Sequence, residues 1–401
     1  MSTPTKRLPA DFAAARVRNL APSPTLAVSD KARQLKAQGI DVIDLGGGDP
    51  DFITPEHIRQ AAIDAMNAGD THYVASAGIP ALRKAIAAKL REDNGVEVDP
   101  MGGVVVTPGG KQALFEAALA LVEPGVDVLI PEPGWVSYVP MVELAGGRAV
   151  PVSLDPDDRF RITREALEAA ATPASRVIII CSPNNPTGRV LEADELQALA
   201  DFAIARDLLV FSDEMYEKIL YDGRTHTSIA TLPGMAERTL VFNGLSKAYA
   251  MTGWRLGYVA GPKPFIAGIE KVHSHSATCA TSFVQAAGVV ALTGPQDFIG
   301  EMVRAWDRRR LAVSSGLSAV KGIECPPAEG AFYAFADVRG TGMTASDAAD
   351  LFLREAHVAV TPGNAFGDSG EGFVRLSFAT SDDLLAAAVE RIANVLGRKD
   401  A

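Results

Sequence analysis

Cysteine is scarce in this chain of 401 residues: there are three, Cys181, Cys279 and Cys325. The count is odd and no two form a C-x-x-C pair, which argues against a disulfide framework or a structural zinc and for a reducing compartment. Histidine is sparse too, with six residues and no H-E-x-x-H motif. His273 and His275 stand two apart, a spacing that on a helix sends them to different faces, so no metal is expected. Long apolar runs are missing: no stretch reaches the ~18 residues of a membrane span, and Met1 to Pro9 is polar and lacks a signal-peptide pattern. The cytoplasm is therefore the expected compartment. Positive charge is in deficit, 38 Lys and Arg against 49 Asp and Glu, for a formal net charge of −11. Such a chain is repelled by nucleic acid and by anionic membranes, so neither is an expected partner. The densest basic cluster, Arg308-Arg309-Arg310, follows Trp306 and Asp307 in a helical stretch and reads as a solvated helix face. Gly46-Gly47-Gly48 does not continue as G-x-G-x-x-G, which excludes a Rossmann dinucleotide turn, and no Walker loop occurs.

What is present is an ordinary globular composition, 47% apolar and 22% charged. The length predicts more than one domain. The expected division is an N-terminal arm over 1–20, a small-domain segment over 21–48, a large domain over 49–300 and a C-terminal small domain over 301–401. A helix is expected from Ser29 to Gln38, stopped at Gly39. From Val104 onward, short apolar strands alternate with helical stretches. The strands are Val104–Thr107, Val126–Ile130, Arg148–Val152, Val177–Cys181, Leu208–Phe211 and Thr239–Phe242. Between two of them, Leu196, Leu199, Ala200, Ala203 and Ile204 form an i, i+3, i+4 helical stripe. This rhythm predicts an α/β domain around a mostly parallel sheet, whose ligands bind beyond the carboxyl ends of the strands. After about residue 300 the pattern becomes α+β: a helix over Glu301–Ala319, strands near Phe332–Phe335, Val358–Val360 and Phe373–Phe378, and a helix over Asp382–Val395.

The polar residues at those strand ends are the candidates for chemistry. Lys247 follows a buried-type strand in a small polar turn; it is either an exposed loop lysine or an amine whose pKa is lowered for Schiff-base chemistry. Arg255 lies eight residues on and could return to the same pocket to pair with an anion. Asp213 ends another strand and is either an N-cap or a buried acid able to pair with a pyridinium nitrogen, with Tyr216 three residues later. Thr107-Pro108-Gly109-Gly110-Lys111 opens a helix and is either a plain turn or a phosphate cradle. Trp135, on the loop after a strand, either packs in the core or stacks on a heteroaromatic ring. Arg375, between Val374 and Leu376, must have its charge paired, by a structural carboxylate or by a ligand's.

Five segments occur in order: SPNNPTG (182–188), SDEMYEKILYDG (212–223), NGLSKAYAMTGWRLGY (243–258), EGAFYAF (329–335) and VRLSFATS (374–381). Together they resemble the class I aminotransferases of the fold type I family dependent on pyridoxal 5′-phosphate (PLP), nearest the bacterial aspartate and aspartate/prephenate branch. The resemblance runs from about Pro22 to the C-terminus. It implies a large α/β domain with a mostly parallel seven-stranded sheet and a smaller α+β domain. It further implies an enzyme that moves the amino group of an L-amino acid, best aspartate or glutamate, to a 2-oxo acid by a ping-pong mechanism. Lys247 would hold PLP as a Schiff base and shuttle the proton; Asp213 would hold the pyridine nitrogen. Tyr216 and Asn185 would bond the phenolic oxygen, and Trp135 would stack on the ring. Gly109, Gly110, Ser246 and Arg255 would surround the phosphate. Arg375 would clamp the substrate α-carboxylate, with Gly48, Trp135 and Asn185 nearby. Lys111 would serve either the phosphate or, with Ser23 and Thr25, a side-chain carboxylate. Tyr73 would reach the phosphate of a neighbouring subunit, which implies a homodimer with shared sites.

Two departures from the family pattern stand out. Gly134 precedes Trp135, which would widen the pocket or loosen the loop, and the segment from His273 to Cys279, in a region that approaches the neighbour's substrate, is rich in histidine. Aromatic or otherwise specialised amino acids are alternative substrates, and a PLP-dependent lyase or oxidase is an alternative reaction. A non-catalytic PLP-binding regulator is a distant one, since no helix-turn-helix pattern or basic face precedes the matching region.

Overall fold

The computed structural model describes residues 13–18 and 20–399, so the expected N-terminal arm falls largely outside the described residues. The strands run, in chain order, β1 (Ile43–Asp44), β2 (Val104–Thr107), β3 (Asp127–Glu132), β4 (Arg148–Ser153), β5 (Ser175–Cys181), β6 (Leu209–Asp213), β7 (Thr239–Gly244) and β8 (Gly257–Ala260). They continue as β9 (Tyr333–Asp337), β10 (Val358–Ala359), β11 (Thr361–Pro362) and β12 (Phe373–Ser377). Seven of these form one sheet in the order β2-β8-β7-β6-β5-β3-β4. All neighbours in it are parallel except β8, which runs antiparallel to both β2 and β7. The short segment GYVA that forms β8 carries no alternation and was not expected as a strand.

Parallel strands covered by helices on both faces are apolar throughout, and β5 shows how each face is used. Side chains alternate along a strand. Val177, Ile179 and Cys181 accordingly enter a cluster with Ala113, Ala117, Ile266 and Ile269, from the helices Gly110–Leu121 and Lys263–Ser276. Ile178 and Ile180 enter another, with Leu196, Leu199, Phe202 and Ala203 of the helix Ala193–Ala205. That helix starts on a capping box between Glu192 and Glu195, which satisfies its first backbone N–H groups.

The C-terminal part gathers β9, β11 and β12 with the helices Asp297–Ser318, Ala345–Arg354 and Asp382–Lys399 around Trp306 and Phe332. The strand expected near Val358–Val360 is β10, which pairs with β1; β11, just beyond it, was not expected and pairs with β12. The first of these pairings ties the segment after the helix Pro24–Ala37 to the C-terminal part. The basic cluster departs from expectation. Arg308 is exposed, but Arg309 bridges Asp51 and Asp382, and Arg310 is only 2% exposed. Arg310 is held by Asp307 at 2.6 Å, Asp222 at 2.5 Å and the Ala328 carbonyl at 3.0 Å, over the ring of Tyr221. Its charge is matched by carboxylates at the protein surface, so of the triplet Arg308 alone is a solvated face.

Candidate active site

The carboxyl ends of β5, β6 and β7 deliver Cys181, Asp213 and Gly244 to one edge of the sheet, next to the start of the helix Gly110–Leu121. Between that edge and the C-terminal part lies a cavity of about 400 Å³. Its wall contains Gly48, Gly110, Lys111, Trp135, Asn185, Asp213, Tyr216, Ser246, Lys247, Arg255 and Arg375. Three expected residues, Gly109, Tyr73 and Ser23, are not in that wall. Gly109 sits directly behind it with φ of +87°, and Tyr73 is 86% exposed. Thr25 lines the cavity, while Ser23 sits one step back with its hydroxyl 3.1 Å from that of Thr25.

Glycine is required where backbones meet at the helix start. A Cβ on Gly109 would come within 2.6 Å of the Arg255 guanidinium, and one on Gly257 within 2.3 Å of the Gly110 nitrogen. The helix therefore begins bare, with no side-chain cap, beside Arg255 and Ser246. Unmatched N–H groups, the positive end of the helix dipole and a guanidinium together favour an anion such as phosphate. Arg255 donates to the Thr252 carbonyl at 2.7 Å, and no carboxylate of the described residues pairs with it.

Lys247 points its ammonium at the Gly48 carbonyl, close to the face of Phe332. Burial lowers its pKa to about 8; Asp49 opposes the shift, and the nearby cations Arg375 and Arg255 add to it. Asp213 is buried, so it is not a solvated N-cap. Desolvation raises its pKa to about 6, while a hydrogen bond from the Tyr138 hydroxyl at 2.7 Å and one from the Met215 backbone at 3.2 Å hold it down. Tyr216 and Tyr333 place their hydroxyls 2.9 Å apart, and burial pushes both pKa values up. Arg375 is 3% exposed and has no carboxylate partner among the described residues. It donates to Asn185 Oδ1 at 2.9 Å and to the Gly46 carbonyl at 2.5 Å, stacks over Tyr333 and Phe366, and leaves Nε without a partner. A buried guanidinium held only by neutral groups lacks a counter-ion, and the cavity in front of it is where one would sit. Lys111 lies over Trp135, 4.8 Å from the ring centroid, and burial followed by repulsion from Arg255 lowers its pKa.

The cavity wall thus carries four cations, Lys111, Lys247, Arg255 and Arg375, against two carboxylates, Asp49 and Asp213. In a chain of net charge −11 this is a local reversal of sign suited to several anionic groups at once. Gly134 does not widen this cavity. A Cβ there would lie 2.8 Å from the Pro131 carbonyl, so the glycine serves the turn itself. Tyr138 and Tyr333 were not singled out from the sequence. Tyr138 lies three residues after Trp135 with no pattern to mark it, whereas Tyr333 falls within the EGAFYAF segment.

His273 is buried with Nδ1 2.9 Å from Glu116, whereas His275 is exposed, so the two do face apart. Glu214, Glu217 and His226 bring ligand-type atoms within 4.8 Å of one another. The two carboxylates, however, already accept from Lys89, Asn94, Ser212, Ser228 and His226, which makes the group a paired network and not an open cation site.

The family model for aminotransferases of class I and II matches residues 40–392. The chain is 45% identical over 387 residues to an aspartate aminotransferase of Musicola paradisiaca, covering 96% of this chain and 97% of that protein. It is 42% identical over 366 residues to aromatic-amino-acid aminotransferase 2 of Thermococcus litoralis, covering 90% and 94%. Among solved structures, the aspartate aminotransferase of Thermus thermophilus with maleate superposes with a TM-score of 0.91 at 42% identity, covering 96% of this chain and 99% of that one. No helix of the described residues is long and apolar enough to cross a membrane.

Proposed function

This chain belongs to the class I and II aminotransferase family, and on that premise we propose that it carries PLP on Lys247 and exchanges the amino group of a dicarboxylic amino acid with a 2-oxo acid. The observation that carries the reading is the charge of the cavity: four cations with two carboxylates, enclosing a bare helix start at one end and an unpaired buried arginine at the other. PLP bound there supplies an electron sink that lets the Cα–H bond of an amino acid ionise.

The protein residues do the rest. Gly109, Gly110, Ser246 and Arg255 hold the phosphate at the helix start, and Trp135 walls one side of the ring. Asp213 stays ionised near neutrality because its pKa is about 6, and so holds a proton on the pyridine nitrogen. Tyr216 and Asn185 hold the phenolic oxygen. Arg375 takes the α-carboxylate as a two-pronged donor and fixes the Cα–H bond relative to Lys247. Lys247, with its pKa lowered to about 8, gives up its own proton more readily than an ordinary lysine, and its Nζ could take the proton from Cα and deliver it to C4′ of the cofactor. Lys111, which has no carboxylate partner among the described residues and shares the cavity wall with Thr25, receives the side-chain carboxylate. Its position matches the dicarboxylate reading, as do the aspartate aminotransferases among the relatives and the solved relative with maleate. Aromatic substrates are a second reading, favoured by the apolar wall of Leu26, Leu114 and Trp135 and by the aromatic-specific relative. We further propose a homodimer in which exposed Tyr73 reaches the phosphate site of a second copy, working in the cytoplasm, where the three unpaired thiols stay reduced.

Borohydride reduction of the PLP-loaded protein, followed by peptide mapping, tests the anchor. The expected result is one phosphopyridoxyl label, on Lys247; a label on another lysine would overturn the assignment.

A further inference from the structure

Tyr333 touches three parts of the site at once. Its hydroxyl lies 2.9 Å from that of Tyr216. The same oxygen presses on the backbone of Gly48, where an added Cβ would be 2.2 Å away. Its ring lies under the Arg375 guanidinium, 4.5 Å from centroid to Cζ. The side chain is 2% exposed, and β9 fixes its place beside β12, with Tyr333 opposite Ser377 and Phe335 opposite Arg375.

Either hydroxyl can donate in the Tyr216–Tyr333 bond, and the role given above to Tyr216 requires that Tyr333 be the donor. Each hydroxyl has one proton to donate. If Tyr216 donated to Tyr333, nothing would remain to reach a cofactor oxygen in the cavity. If Tyr333 donates, the Tyr216 proton is free to point inward, and the chain of two donors polarises it. The ring of Tyr333 meanwhile offers its negative face to a buried guanidinium that no carboxylate neutralises.

We propose that Tyr333 is a positioning residue that couples the two halves of the site: its hydroxyl aims the Tyr216 proton at the cofactor, and its ring holds Arg375 for the substrate carboxylate. The proposal rests on the roles given above to Tyr216 and Arg375. A donor to the phenolic oxygen stabilises the more negative form of the chromophore, so weakening it moves the colour change of the loaded protein to higher pH. Removing the donor outright, with Tyr216→Phe, shifts the midpoint upward by about 1 pH unit or more. Removing only the polarising bond, with Tyr333→Phe, shifts it by a few tenths of a unit. Phenylalanine keeps the ring under Arg375, so the KM for amino acid stays within about twofold, whereas Tyr333→Leu raises it by about two- to thirtyfold for every amino acid.

The experiment is a pH titration of the visible absorption of PLP-loaded wild type, Tyr216→Phe and Tyr333→Phe, with KM measured on the same samples and on Tyr333→Leu. Upward shifts in both phenylalanine variants, the smaller in Tyr333→Phe, support the inference. A shift in Tyr216→Phe with none in Tyr333→Phe overturns it and leaves the role of Tyr216 standing. No shift in Tyr216→Phe overturns the role of Tyr216 itself and the inference with it. A KM for Tyr333→Leu within about twofold of wild type overturns the ring's part of the inference; should that variant fail to fold, the two phenylalanine variants still decide the hydroxyl's part.

Discussion

Lys247→Met should make the cofactor-free protein more stable than the wild type. In the folded protein burial holds the amine at a pKa of about 8, against an ordinary lysine value of 10.5. The difference corresponds to about 3 kcal/mol at neutral pH, which the folded state bears for keeping a charged amine in the cavity. Methionine nearly matches the lysine stem and carries no charge, so its packing cost is small. The Gly48 carbonyl that loses the ammonium faces the cavity, where water can reach it. With an unfolding entropy of about 2 cal/mol/K per residue, the gain amounts to about 3–4 °C in Tm. The pH dependence is the sharper signature. Between the folded and unfolded pKa values the unfolded chain binds more protons, so wild-type stability rises with pH from about 8 to 10.5. The variant lacks that rise, and its advantage, constant below pH 8, should shrink to near zero by pH 10.5. Scanning calorimetry of the two cofactor-free proteins side by side, at pH 7 and pH 10, measures this difference. A variant no more stable at pH 7, or an advantage as large at pH 10, would refute the claim that the site strains this amine.

Four further predictions concern Arg375, Lys111 and the buried acid. Arg375→Ala should raise KM about a hundredfold for acidic and neutral amino acids alike, the loss expected for one partner of a buried charge-assisted pair; a loss confined to acidic substrates in steady-state kinetics would move it to the side-chain subsite. Lys111→Met should raise KM for aspartate about tenfold while leaving phenylalanine within about twofold, since it deletes one partly screened charge contact; equal losses for both would assign Lys111 to the cofactor phosphate. PLP affinity should fall as pH drops through about 6, where Asp213 takes up a proton. Tyr138→Phe should move that fall to higher pH, because the lost hydrogen bond is one that holds the acid down; fluorescence titrations between pH 5 and 8 read both.

The sheet was legible in the sequence because its strands are buried on both faces. Val104–Val106 and Val177–Cys181 are too short for a helix and rich in β-branched residues, which favours strand over buried helix. The antiparallel β8 was not, since Gly257 and Gly261 at its ends are there for close backbone approach and the strand between them is too short to show a period. The separate short strand β11 after β10 was not, since each takes a different partner, β12 and β1, which no local pattern records. At the site, residues at strand ends were visible because position in an α/β fold gives them meaning: Asp213, Lys247 and the Gly109-Gly110 turn all lie on one edge. Tyr138 was hidden because a buried tyrosine on a helix looks like core until its hydroxyl is seen on Asp213. The same holds for Arg310, whose partners Asp222 and Ala328 are remote in sequence. Glycine before Trp135 looked like an opening of the pocket; the carbonyl of Pro131 that excludes a side chain there could not be inferred from order alone.

The visible absorption spectrum of the PLP-loaded protein, before and after adding L-aspartate with no 2-oxo acid present, tests the central claim most directly. The account predicts a yellow protein that loses its visible band, releases oxaloacetate in stoichiometric amount and retains the cofactor in its aminated form. A protein that never binds PLP, or one that turns aspartate over to ammonia without an acceptor, would contradict it.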